Sequence, residues 1–356
     1  MTTQWIDLRA GSHALAQIQE HGLQPDDISL LLGASGGPKW FILQGLDNYL
    51  FGEFFSKRQQ PMELLGTSAG AWRFASLGRS DAADASALFC KLYRATVYSE
   101  KPDVREITDK AIDLLNEYVT DDAIAEILSQ DRFLHHMIVV RSRGIGASDN
   151  RVLQGMSLIR AAALNAVSRK TLRHSFERVV FHHPKATPPL GHDWHDLPTR
   201  HVALTQENFR HALLATGSIP MVLAGVRDIP GAPPGVYRDG GVTDYHFNLP
   251  FDEQSGLVLY PHFQREVIPG WFDKHLKRRM SGQQWPNVLA LMPTQKFIDA
   301  LPYQKIPDRH DFANMDVPTR QKFWQQAVDA GYRMADELAE LISSGKIRDA
   351  VTEWKD

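Results

Sequence analysis

Apolar residues along this chain fall into two patterns. Some form short runs closed by glycine or proline, and others recur every three or four positions. "ISLLLG" (Ile28–Gly33) and "MELLG" (Met62–Gly66) are of the first kind, and each predicts a buried strand. Between them Pro38 suits the first turn of a helix, where its missing N–H is no loss. Trp40, Leu43, Leu46, Leu50 and Phe54 then give an apolar stripe at helical spacing to about Phe55. After the second run, "SAGAWRFASLG" predicts the next helix. Strand, helix, strand, helix within the first ~80 residues predicts a parallel sheet with helices on its faces.

The helical period returns over Ala82–Tyr93, Ile107–Leu128, Arg151–Ala166 and, long and amphipathic, Thr319–Ser343. The stretch from Ala203 to Leu214 leads into a further helical turn that stops before Pro220. "LHHMIVVRS", "FERVVFHH", "GLVLYP" and "NVLALMP" predict further strands. Two loop-like stretches, "HPKATPPLGHDWHDLP" and "IPGAPPG", are too short to link domains. The expectation is one large α/β domain: an N-terminal segment 1–27, a core 28–250, and a segment 251–356 that completes it.

Composition narrows the class. Of 356 residues 43% are hydrophobic and 23% charged, as in ordinary globular proteins. A net charge of −3 gives no electrostatic case for nucleic acid or for an anionic membrane surface. The single cysteine, Cys90, cannot form an internal disulfide and reads as a small buried hydrophobe on a helix. The N-terminus lacks the basic start and apolar run of a secretory signal, and no segment approaches the ~20 apolar residues of a membrane helix. The expected location is the cytoplasm, with any membrane contact peripheral, through exposed apolar loops.

Chemistry concentrates at two turns. In "LLGASGGPKWF" (Leu31–Phe41), the phosphate-loop pattern counted from Gly33 places Pro38 at its second glycine and Trp40 at its metal-binding hydroxyl. Proline offers no amide and indole no metal ligand, so a nucleotide site is disfavoured. "GTSAG" (Gly66–Gly70) fits Gly-x-Ser-x-Gly between a predicted strand and a predicted helix, the setting of a nucleophile elbow. A right-handed crossover puts the two turns at one sheet edge. The amides of Gly36, Gly37 and Ala69 could there surround the oxygen of a tetrahedral intermediate formed at Ser68. A base is then needed. Asp239 in "YRDGGVTDYHF" follows a short strand-like run, although Asp-Gly taken alone signals a type I′ hairpin turn.

Together, the glycine-rich turn, Gly-x-Ser-x-Gly and the distant Asp239-Gly240-Gly241 resemble the patatin-like lipid acyl hydrolases. Ser35 to Trp40 is similar to that family's Gly-Gly-Gly-x-Lys/Arg-Gly, and "LLATGSIPMVLAGV" to its Ala-Ser-x-Ala-x-Pro stretch. The likeness runs from about Ile28 to Pro250. It implies a three-layer α/β/α fold with a mostly parallel central sheet and a Ser-Asp dyad of Ser68 and Asp239. It also implies hydrolysis of lipid or other carboxylic esters without metal or cofactor. Ser35 and Trp40 depart from the glycines of the motif, and Trp72 and Arg73 occupy positions usually small or apolar. Arg73 reads as a buried ion-pair partner, Asp244 as a solvated turn residue, and Lys39 as an exposed or structurally paired lysine. Two alternatives stand: a silent member that binds acyl chains or a partner, and a Ser-Asp-His triad using His246 or His262. His182, His183, His192 and His195 cluster in sequence without metal-ligand spacing.

Overall fold

In the computed structural model, which describes residues 3–148, 150–251 and 255–355, eleven strands form one sheet. They are β1 (Ile6–Ala10), β2 (Ile28–Gly33), β3 (Met62–Gly66), β4 (Phe133–Ser142), β5 (Phe176–His182) and β6 (Thr199–Ala203). Then follow β7 (Val226–Arg227), β8 (Val236–Asp239), β9 (Leu257–Pro261), β10 (Val288–Pro293) and β11 (Thr352–Glu353). The spatial order is β11-β1-β10-β9-β2-β3-β4-β5-β6, with β8 paired to β4 and β7 to β8. The central strands β10, β9, β2, β3 and β4 are all parallel, while β1 runs antiparallel to β10, and β5 and β8 antiparallel to β4.

Side-chain alternation explains why the sheet is covered on both faces. Along β4, Met137 and Val139 enter one apolar cluster and Ile138 enters another, and along β5 Val179 and Phe181 oppose Val180 in the same way. Helices Ala82–Ala95, Val104–Tyr118, Asp121–Ser129 and Phe209–Thr216 contribute to one cluster, helix Ser12–His21 and much of Val317–Ser343 to the other. The fold is a three-layer α/β/α arrangement around a mostly parallel sheet. Residues 1–27 add β1, and residues beyond 251 add β9, β10 and β11 to the same sheet, with β9 directly beside β2.

Some elements differ from the sequence expectation. The stripe after β2 is a 3-10 turn (Gly37–Leu43), an α turn (Gln44–Tyr49) and a π turn (Leu50–Phe54) in succession. The single helix expected over Ile107–Leu128 is two. Asp103 caps the first by accepting from the Glu106 amide, and Thr120 caps the second by accepting from the Ala123 amide. Strands β1, β6 and β11 and helix Ser12–His21 go beyond the expectation.

Candidate active site

Two strands meet end to end on one edge of β4. The other edge is taken by β5 over His136–Ser142. On the free edge β3 runs parallel to β4 and ends with Gly66 opposite Met137. From the other direction β8 runs antiparallel and ends with Asp239 opposite Val139. The C-terminal ends of β3 and β8 therefore point at each other, and residues just past Gly66 meet Asp239.

The turn after β3 is held in an unusual conformation. Ser68 has φ 51° and ψ −125°, a region costly for a residue with a side chain. Its amide donates to Thr216 Oγ1 at 2.9 Å, and the Thr216 hydroxyl donates to the Ile138 carbonyl at 2.6 Å. The helix Ala69–Leu77 starts at once, with the Trp72 amide donating to the Ser68 carbonyl. A side chain on Gly70 would overlap the carbonyl of Gly33, and one on Gly66 the backbone of Ala71. The motif glycines let this helix sit directly on the ends of β2 and β3.

Ser68 Oγ donates to Asp239 Oδ2 at 2.8 Å, and the Gly241 amide donates to Oδ1 at 2.7 Å. Both residues are buried, Ser68 at 7% and Asp239 at 6% exposure. Burial raises the Asp239 pKa to about 6, against the opposing pull of the Ser68 hydroxyl, the Gly241 amide, Lys274 and Arg309. Asp-Gly-Gly does not make a hairpin or a sharp reversal. Gly240 has φ −61° and ψ −28°, and the chain passes into a short helix, Gly241–Asp244. The glycines serve space instead, since a side chain on Gly240 would strike the Ile138 carbonyl and one on Gly241 the Ser35 hydroxyl.

Gly36 and Gly37 line the same cavity as Ser68 and Asp239, and Gly37 has φ 55°. Ala69 is the first residue of its helix. Among the described residues no hydrogen bond engages the amides of Gly36, Gly37 or Ala69. Ser35, where the resembled motif has glycine, shares a 2.8 Å hydrogen bond with the Thr67 hydroxyl, and its amide donates to the Tyr245 carbonyl. Trp40, at the other departure, is fully buried and stacks on Phe89 at 4.7 Å.

Arg73 does not line the cavity that holds Ser68 and Asp239. It is fully buried 2.9 Å from Asp47, a charge contact not aligned as a hydrogen bond. Trp72 donates its indole N–H to the Leu213 carbonyl. Neither His246 nor His262 contacts the Ser68–Asp239 pair. His246 Nδ1 accepts from the Ile268 amide at 3.0 Å, and His262 Nδ1 lies 2.7 Å from the Gln264 carbonyl. Burial lowers both pKa values, that of His262 to about 3. Asp244 is not a solvated turn residue: it is fully buried and bound by Arg178.

The cavity holding Ser68 and Asp239 has a volume of about 690 Å³. Its lining includes the apolar Leu158, Ile159, Ile219, Val242 and Phe272 and the basic Lys39, Lys274 and Arg309, with the acid Asp308 among them. Lys39 Nζ donates to Gln264 Oε1 at 2.9 Å, so it is held in the wall rather than exposed. Lys274 Nζ lies 4.0 Å from the centre of the Tyr245 ring. Burial lowers the Lys274 pKa to about 7, with repulsion from Lys39 and Arg309 adding to the shift. Sequence reasoning passed over Thr216, Lys274 and Arg309. The first lies inside the quoted "LLATGSIP" stretch, and the other two lie in the C-terminal segment, where no motif marks them.

No protein-family model matches the chain, and no curated protein matches its sequence. Among solved structures the chain is similar to the crystal structure of VipD from Legionella pneumophila, at 11% identity and a TM-score of 0.31. That match covers 73% of this chain and 53% of VipD. It is also similar to human GIVD cytosolic phospholipase A2, at 11% identity and a TM-score of 0.40, covering 95% of this chain and 65% of that one. The chain thus spans between about half and two thirds of the length of these structures.

Proposed function

We propose that this protein is a serine acyl hydrolase that cleaves carboxylic esters of lipids, with residues 28–250 as its catalytic core. The observation that carries the reading is the 2.8 Å hydrogen bond from a strained strand-to-helix serine, Ser68, to a buried aspartate without a contacting cation, Asp239. In this mechanism Ser68 Oγ attacks the ester carbonyl carbon while its proton passes to Asp239 Oδ2. The amides of Gly36, Gly37 and Ala69 receive the developing negative charge on the carbonyl oxygen. The tetrahedral intermediate collapses, the alcohol leaves with the proton from Asp239, and Ser68 keeps the acyl group. Water then attacks the acyl-enzyme as its proton passes to Asp239, and the second tetrahedral intermediate collapses with that proton returned to Ser68 Oγ, which releases the carboxylic acid and restores the pair. The apolar residues of the lining suit an acyl chain, and its basic residues suit a polar or anionic headgroup.

The test is labelling with a fluorophosphonate probe, which reacts only with an activated serine. Peptide mapping should find the adduct on Ser68 and lose it in Ser68→Ala. Absence of labelling in folded protein would replace this reading with a binding protein that uses the same cavity.

A further inference from the structure

The helix Arg151–Val167 is turned inside out. Its buried positions are Gln154, Ser157, Ala161 and Asn165. Gln154 Oε1 accepts from the Met221 amide at 2.8 Å, and Asn165 Nδ2 donates to Asp273 Oδ1 at 2.8 Å. Ala161 is buried and Leu158 packs beside it, but other large apolar positions face out: Val152 is 69% exposed, Met156 54%, Ile159 73% and Val167 84%. A soluble protein ordinarily places such a stripe inward. Ile145, just before the helix, and Leu153 extend the patch, whereas Val97, Tyr303 and Tyr332 are exposed apolar residues elsewhere in the sequence.

Two observations say what covers this face. The first is continuity: Leu158, Ile159 and Ala162 of the same helix line the cavity of Ser68 and Asp239, so an occupant of the face lies over the cavity mouth. The second is charge. From Gly144 to His174 the sequence holds five basic residues, Arg151, Arg160, Arg169, Lys170 and Arg173, against the single acid Asp149. Arg169 is engaged inward by Asp244 and Asp273, and the other four are exposed. At the cavity itself Lys39, Lys274 and Arg309 stand against the acids Asp239 and Asp308. This basic, apolar face belongs to a chain whose net charge is −3. Apolar side chains ringed by long cationic ones match the boundary between acyl chains and anionic headgroups.

We propose that the helix 151–167 is an interfacial element that seats the cavity mouth on a lipid surface bearing anionic headgroups. Its purpose rests on the acyl-hydrolase reading, since the seat would let an acyl chain pass from the bilayer to Ser68 without crossing water. Its binding does not depend on catalysis. The full chain carrying Ser68→Ala is sedimented with vesicles of phosphatidylcholine alone and of phosphatidylcholine mixed with phosphatidylglycerol. Binding is expected to favour the anionic vesicles and to weaken with salt. Adding Val152→Glu and Met156→Glu should weaken it about tenfold or more, because two apolar side chains leave the interface and two negative charges enter it. The same pair in the Ser68 background should hydrolyse a short soluble ester at the parent rate, which shows that the fold is intact. The proposal is overturned if the parent ignores both kinds of vesicle or the double substitution binds as tightly. It is equally overturned if the parent is a dimer that the substitutions convert to monomer, because the face would then belong to a second copy. Vesicle binding without fluorophosphonate labelling would support this inference and sink the acyl-hydrolase reading alone.

Discussion

Asp239 and Asp244 lie five positions apart in "DGGVTD", both buried, yet the protein surrounds them in opposite ways. Asp244 is clasped by Arg178, with Nε at 2.8 Å and Nη2 at 2.9 Å, and accepts a further hydrogen bond from the Thr243 hydroxyl. Although burial works against the Arg178 charge, Asp244 and Asp196 together raise its pKa above the ordinary value. Asp239 receives only a hydroxyl and an amide, and its pKa rises. An acid that fixes the chain is given cations at contact distance. An acid proposed to take a proton is left without them, so its charge remains costly and its basicity is kept.

The sharpest break in this comparison is on turnover. Asp239→Asn keeps the shape but removes the proton acceptor, and steady-state ester hydrolysis should fall by on the order of 10⁴ with the fold intact. Asp244→Asn should do the reverse. Leaving Arg178 without its main counter-charge should cost about 3–5 kcal/mol in urea unfolding, while turnover per folded molecule stays close to the parent's. If Asp244→Asn were instead stable and inactive, the two roles would have to be exchanged.

Reading the contrast against pH sharpens it further. With a folded pKa of about 6 for Asp239, kcat/KM should lose activity tenfold per unit as pH falls below about 6. Stability moves the other way. Between about 4 and about 6 the native state keeps a proton that the unfolded chain, near 3.8, has released. Stability from this group therefore falls as pH rises through that window and levels off above it. Asp239→Asn should accordingly be more stable than the parent at pH 7, by up to about 3 kcal/mol, with the gain vanishing near pH 4. The smallest effect is expected at the buried histidines. His246→Ala and His262→Ala should each lower the melting temperature but leave kcat per folded molecule nearly unchanged. A folded and inactive variant of either would revive the Ser-Asp-His arrangement.

The parallel centre of the fold is legible in the sequence because β2, β3, β9 and β10 are near-continuous apolar runs, interrupted only by the half-buried Ser29 and Glu63, as strands covered on both faces tend to be. β6, "TRHVA", is not legible, since its polar residues form a strand through pairing with β5 rather than through any apolar pattern of their own. The serine turn announces itself in five residues. The meeting of Ser68 with Asp239 does not, because it depends on which edge of β4 the short β8 joins; only resemblance to a family pairs the two in advance. Asp244 is misread from sequence for a related reason. Its partner Arg178 comes from β5, and nothing near Asp244 in the chain shows that a guanidinium awaits it.

The shared edge of β4 also sets an order of events during synthesis. The Ser68–Asp239 hydrogen bond spans 171 positions, and contacts so distant in sequence form late. While the ribosome is still short of β8, Val139–Arg141 present an unpaired strand edge and the serine turn has no acid beside it. A nascent chain, or one cut before Val236, would then carry the proposed nucleophile Ser68 without the proposed base Asp239. Under the proposed mechanism, catalysis is in this way withheld until the polypeptide has closed its sheet.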